Sequence, residues 1–117
     1  MNFEKLFGKT CEKLGYNPEQ YNVWLTFLDP DKMQELNART RGINSPTDVL
    51  SYPLEMKVKS NKIELGDIII CKKIAGKRKM PIDFLYIHGL LHLFGYDHPT
   101  SADEEKMNIL AEEILYE

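Results

Sequence analysis

His88-Gly-Leu-Leu-His92-Leu-Phe-Gly95-Tyr-Asp-His98 decides how the rest of this chain is read. His88 and His92 are four apart, so on a helix they stand one turn above each other on the same face. Gly95 has no Cβ and can leave the helix by a left-handed turn, which brings His98 back towards the pair. Three imidazoles converging from a helix and its following turn make a zinc site, because zinc takes neutral histidine nitrogens in tetrahedral geometry. Three protein ligands also leave a fourth position open, as in catalytic rather than structural zinc. The plainer alternative is three ordinary histidines, exposed or hydrogen-bonded in the core. Against it, the chain has no other histidine.

The spacing also follows the zinc-protease pattern H-E-x-x-H-x-x-G-x-x-H at every position but one. Gly89 stands where the protease carries its glutamate base. Without that carboxylate, peptide hydrolysis lacks the group that activates the attacking water and hands its proton on. The sequence keeps the metal and drops the peptidase chemistry.

Working outward, Pro81 opens the histidine helix, which is apolar nearly all round through Phe84, Leu85, Ile87, Leu90 and Leu91 and is therefore buried. Downstream, Ser101 with Glu104 reads as a capping box, and Met107, Leu110, Ala111 and Ile114 give a last helix its inner face opposite an acidic outer one. Upstream, Lys72 to Lys79 is basic and reads as a solvated loop, or as a contact for an RNA backbone. Ile63 to Cys71 reads as a strand with a bulge or bend at Gly66-Asp67. Lys57 to Lys62 is a polar connection, and Asp48 to Tyr52 a short strand that Pro53 ends or places at an edge.

Thr40 to Thr47 has turn composition. Asp29-Pro30 caps and opens a short helix to about Ala38, anchored by Met33 and Leu36. Tyr21 to Leu28 is apolar on both faces and reads as a strand interior to a sheet. Phe3, Leu6, Phe7, Cys11 and Leu14 recur at helical spacing up to a stop at Gly15. The order α, β, α, β, β, α, α predicts an α+β fold: a small mixed sheet packed by helices, with the metal site at one edge.

At 117 residues the chain suits a single domain, 1–117, with one core. Its 43% hydrophobic and 28% charged residues are ordinary for a soluble protein. No apolar run approaches a membrane span, and the start lacks a secretory pattern. Cys11 and Cys71 have no CxxC partner and read as reduced, packed thiols of a cytoplasmic protein. A net charge of −3 does not announce a nucleic-acid binder, so any such role rests on local patches.

Two stretches then speak together. His88-Gly-Leu-Leu-His-Leu-Phe-Gly-Tyr-Asp-His98 resembles the signature of the YbeY family of ribosomal RNA maturation endoribonucleases. Leu36-Asn37 with Arg41-Gly42, followed by Pro46-Thr-Asp-Val-Leu-Ser-Tyr-Pro53, resembles that family's second signature, and Leu65-Gly-Asp-Ile-Ile-Ile70 the strand between them. The amino-terminal portion and the segment before the histidine helix are shorter than the family pattern. The resemblance implies a metal-dependent endoribonuclease in 16S ribosomal RNA 3′-end maturation and ribosome quality control, working on the small ribosomal subunit, with no DNA or membrane partner. It carries over His88, His92 and His98 as ligands of one zinc ion per chain, and Arg41 as a functional residue near the metal.

Arg41 beside a metal has chemical sense, because its planar fork can hold a phosphate and offset charge in the transition state. Zinc there would polarise a phosphoryl oxygen or activate a water. Asp97 orients His98 or accepts a proton, or it simply ends the helix turn. Thr47 and Asp48 read as turn formers. Two other readings stay open: a zinc hydrolase acting on a small molecule, and a non-catalytic ribosome-binding protein with structural zinc.

Overall fold

Ile68-Ile69-Ile70 is apolar at consecutive positions, which suits a strand covered on both faces. In the computed structural model, which describes residues 2–59 and 61–116 and leaves the side chains of residues 55–59 aside, that run lies in the central strand. The elements are α1 (Phe3–Leu14), a 3-10 turn (Pro18–Gln20), β1 (Tyr21–Phe27), α2 (Pro30–Arg41), β2 (Val49–Lys59), β3 (Lys62–Ile70), α3 (Lys72–Lys77), α4 (Ile82–Leu93) and α5 (Ser101–Tyr116). The sheet order is β1-β3-β2, with β1 parallel and β2 antiparallel to β3. This is the expected α+β architecture with a small mixed sheet.

Alternation along β3 divides the core. Leu65, Ile68 and Ile70 pack with Leu85, Leu90 and Leu93 of α4 and with Phe3 and Phe7 of α1. Ile69, together with Leu50 of β2, meets Met33 and Leu36 of α2 and Ile74 of α3 on the other face. Beyond α4, Met107, Ala111 and Ile114 of α5 close over Ile87 and Leu91. Helix α4 is therefore apolar all round because it lies between the sheet and α5. Full burial of a leucine or isoleucine stabilises by roughly 1.5–3 kcal/mol each, so this helix is an anchored platform for its histidines.

Several expectations need correcting. Tyr21–Leu28 does not lie inside the sheet: β1 is an edge strand. Its Tyr21, Val23 and Leu25 are covered by the α1 and α4 side, whereas Trp24, on the opposite face, is 54% exposed. Helix α2 runs on to Arg41 because its stop is Gly42, in a left-handed conformation. Of the two readings of Pro53, the edge placement holds: β2 is an edge strand, where a proline is tolerated, and it continues past Tyr52 to Lys59. The polar connection expected from Lys57 to Lys62 is shorter than that, because β2 runs to Lys59 and β3 begins at Lys62; Ser60 between them lies outside the described residues.

Lys72–Lys77 is a short helix and not a loop, because Ile74 and Ala75 within the basic run are buried. The cap of α5 is one residue earlier than expected. Thr100 Oγ1 donates to Asp103 Oδ2 and accepts the Asp103 N–H, leaving Ser101 as the first helical residue. The bulge at Gly66 is as expected: Leu65 is the extra residue opposite β1, and Gly66 has φ +142°. A Cβ at Gly66 would collide with the Tyr52 carbonyl oxygen.

Candidate metal centre

Helix α4 ends in a left-handed glycine motif. The Gly95 N–H donates to His92 O at 3.0 Å, the Tyr96 N–H to Leu91 O at 2.9 Å, and Gly95 has φ +100°. These bonds satisfy carbonyls the helix end would otherwise strand, and they reverse the chain. Asp97 follows, its Oδ1 accepting the His98 main-chain N–H at 2.8 Å. His98 is thereby delivered to the face that already carries His88 and His92.

The three rings meet with centroids 4.9 Å (His88–His92), 4.9 Å (His92–His98) and 5.6 Å (His88–His98) apart. One ring nitrogen from each lies within 4.8 Å of the others, near enough for one ion to be held by all three. All three side chains are partly buried. Burial first, then the neighbouring His92 and His98, pushes His88 down to about 4, against a partial opposing pull from Glu104 and Asp48. His92 is lowered as well, by burial and then by His98, while a hydrogen bond to the Tyr96 backbone and the charge of Asp97 resist. Neutral His88 and His92 at neutral pH are what a divalent ion needs. The donor set fits zinc.

The histidines line a cavity of about 340 Å³ whose other walls are Arg41, Gly89 and four consecutive residues of β2, Val49 to Tyr52. Arg41, the last residue of α2, thus shares a cavity with histidines 47 to 57 positions further along the chain. The turn after it is pinned by buried Asn37, whose Nδ2 donates to Ser45 O at 2.9 Å. Nearby, the Thr40 and Tyr52 hydroxyls lie 2.7 Å apart, tying α2 to the β2 wall. Gly89 is not merely a lost base. A Cβ there would stand 3.2 to 3.3 Å from three atoms of Ile68, so the glycine lets α4 lie close against β3.

Thr47 and Asp48 do shape a turn. Asp48 Oδ1 accepts the Val49 N–H at 2.8 Å and the Thr47 hydroxyl at 3.4 Å, and pairs with Arg78 at 3.3 Å. This contact sets the basic end of α3 beside the start of the β2 wall. Sequence reasoning missed the wall residues Ser51 and Tyr52, and also Glu104, which faces His88 across a second cavity. The only available signal for the wall was that Val49-Leu-Ser-Tyr52 adjoins Arg41 in the same motif.

The family model described as Endoribonuclease YbeY matches residues 1–117. A Limosilactobacillus fermentum protein of that name is 36% identical, over 96% of this chain and 82% of its own. Its namesake from Thermodesulfovibrio yellowstonii is 40% identical, over 85% of this chain and 68% of its own. Among solved structures, a Thermotoga maritima protein studied in solution is 30% identical, with a TM-score of 0.54 over 96% of this chain and 77% of its own. The signatures around Arg41 and His88 are therefore one family's pattern and not a chance spacing of ligands: the chain belongs to the endoribonuclease YbeY family, whose enzymes cut RNA at internal phosphodiester bonds.

Proposed function

We propose that residues 1–117 act as one zinc-dependent endoribonuclease domain in the cytoplasm, maturing the 3′ end of 16S ribosomal RNA on the small ribosomal subunit and serving ribosome quality control. The observation that carries the reading is Arg41 in the same cavity as His88, His92 and His98. Among the described residues the ligand group consists of those three histidines, which suits an ion that also meets substrate more than a closed structural site. The names of the relatives supply the substrate class.

The three imidazoles would hold one zinc ion. Bound there, zinc supplies Lewis acidity towards a phosphoryl oxygen or an attacking water. Arg41 contributes a fixed positive fork that grips the scissile phosphate and offsets the charge growing on it. Asp97 holds the His98 turn through the bond to its main-chain N–H, and its exposed carboxylate is placed to take up a proton. The exposed Lys73, Lys77 and Lys79 of the α3 region, set beside β2 by Arg78, give the RNA backbone a local basic track on an acidic protein.

Single-turnover cleavage of an RNA fragment spanning the 16S 3′ end, with zinc content measured for each variant, tests this. Arg41→Ala should keep its zinc and its fold and lose about 3 kcal/mol of transition-state stabilisation, on the order of a hundredfold in rate. Arg41→Lys should recover only part, because an ammonium cannot reproduce the two-pronged contact. Wild-type rates in Arg41→Ala would remove the phosphate clamp and favour the small-molecule hydrolase instead.

A further inference from the structure

The cavity wall built by β2 has an unusual property. Four consecutive residues, Val49 to Tyr52, line it, although a strand turns alternate side chains to opposite faces. The cavity therefore borders the strand's edge, where main-chain groups are presented. The register identifies which ones. Cys71 N–H donates to Asp48 O at 2.8 Å, and Asp48 lies directly opposite Cys71 when the Val49↔Ile70 pairing is extended by one residue. Hydrogen-bonded pairs alternate along an antiparallel ladder, so Leu50 and Tyr52 turn their N–H and C=O groups towards β3. Val49, Ser51 and Pro53 turn theirs outward, to the unpaired edge.

Of these outward positions, the Val49 N–H is taken by the Asp48 carboxylate. Pro53 has no N–H to give. Ser51 is left as the residue of this wall with an outward main-chain donor, and no partner for it is found among the described residues. Edge-strand donors are normally blocked, and here the donors on either side are blocked or missing. The remaining one sits in the cavity that Arg41 and the three histidines line.

We propose that the Ser51 main-chain N–H donates to a non-bridging oxygen of the scissile phosphate, opposite the Arg41 guanidinium. This deepens the endoribonuclease reading and rests on it. A main-chain donor is held by the β2–β3 ladder and needs no reorganisation as charge develops, so it serves a transition state better than a mobile side chain would. The Ser51 hydroxyl has no part in it.

The test uses full-length, zinc-loaded protein. Ser51→Ala keeps the N–H and serves as the reference against which any loss from side-chain packing is read. Replacing Ser51 by its α-hydroxy acid, which turns the Leu50–Ser51 amide into an ester, should slow single-turnover cleavage by about a hundredfold with unchanged zinc content. Ser51→Pro is the genetic counterpart, and its outward N–H can be lost without breaking the ladder. In parallel, the Ser51 amide resonance of ¹⁵N-labelled wild type should shift downfield on adding inorganic phosphate.

If wild type cuts RNA but the ester variant keeps pace with it, the Ser51 proposal is overturned and the nuclease reading stands. If wild type does not cut RNA, the nuclease reading falls, and an unmoved Ser51 resonance with phosphate overturns the proposed donor as well. A resonance that responds to an extended peptide and not to phosphate also overturns it, in favour of strand addition at this edge.

Discussion

Glu64 in β3 and His88 in α4 both hold an ionisable side chain largely out of water, yet their neighbours differ in kind. The Glu64 carboxylate accepts from Asn22 Nδ2 at 3.2 and 3.3 Å and from Trp24 Nε1 at 3.0 Å. Each donor there has an acceptor, and the cluster is complete in itself. Around His88 the partners are two more imidazoles, and their proximity only makes a charge harder to carry. A structural polar cluster pairs unlike groups, whereas a ligand site gathers like ones. The cost falls on protonation, so His88 and His92 keep their lone pairs available to a cation, while the apolar faces of α4 anchor them in place.

The contrast breaks most visibly at the histidines. His92→Ala removes a third of the protein ligands and should lose most of the zinc and essentially all metal-dependent cleavage, as elemental analysis and an RNA assay would report. The metal-free variant should be no less stable than metal-free wild type. A metal-free His92→Ala that melts well below wild type would mean the histidines hold the fold by themselves.

Glu64 should behave the opposite way. Glu64→Ala removes the charged acceptor that Asn22 and Trp24 share and should cost about 2 kcal/mol of stability. Glu64→Gln, which keeps an acceptor, should cost about 1 kcal/mol. Urea denaturation with parallel zinc and cleavage assays separates the cases, since per-molecule cleavage should match wild type in both. A cleavage defect out of proportion to the stability loss would tie the Trp24 face of the sheet to RNA.

What the sequence revealed follows the same division. Ligand geometry was legible because a helix period and one glycine fix where His88, His92 and His98 point. The central strand was legible because Ile68-Ile69-Ile70 admits few other placements. Edge positions were not: the apolar run from Val23 to Phe27 looks the same in an edge strand whose one face is covered by α1 and α4. Helix α3 was hidden by its lysines, which outnumber the two buried residues, Ile74 and Ala75. The closeness of Arg41 to the histidines depends on how α2 crosses the sheet, and no local pattern encodes that. Only the family resemblance pointed there.

Acid should expose the burial and crowding of the histidines in the metal-free protein. His88 is held at about 4 in the fold against 6.5 ordinarily, so the unfolded chain takes up its proton first as pH falls. The stability linked to neutral His88 is full above about 6.5 and is lost as pH drops towards about 4. Between pH 6.5 and 5.5 the loss should be at most about 1 kcal/mol, since the ring is partly open to solvent. Urea midpoints at those two pH values should show a steeper fall in wild type than in His88→Gln. Equal slopes would show that His88 titrates normally and that the crowding of rings has no electrostatic consequence.

The smallest effect should come from Gly89, where the two kinds of cluster meet. Placing alanine in a helix interior in place of glycine stabilises by about 1 kcal/mol. Here the added Cβ presses on three atoms of Ile68 at 3.2 to 3.3 Å, and crowding in a packed core costs about 1–3 kcal/mol. The contacts are short by only a few tenths of an ångström, so the crowding lies at about 1–2 kcal/mol, and against the helix gain Gly89→Ala should be destabilised by no more than about 1 kcal/mol, with its zinc content intact. Gly89→Glu carries the same crowding and adds a carboxylate beside the imidazoles, the acceptor that their cluster lacks. It should be less stable than Gly89→Ala in the presence of zinc, and it should not cut peptides, because restoring one residue of the protease pattern does not restore a peptide-binding cleft. Zinc-dependent peptide cleavage by Gly89→Glu, abolished by adding His88→Ala, would show that the missing glutamate alone separates this site from a protease. A raised melting temperature in Gly89→Ala would show that α4 has slack against β3, and that the glycine is not there for packing.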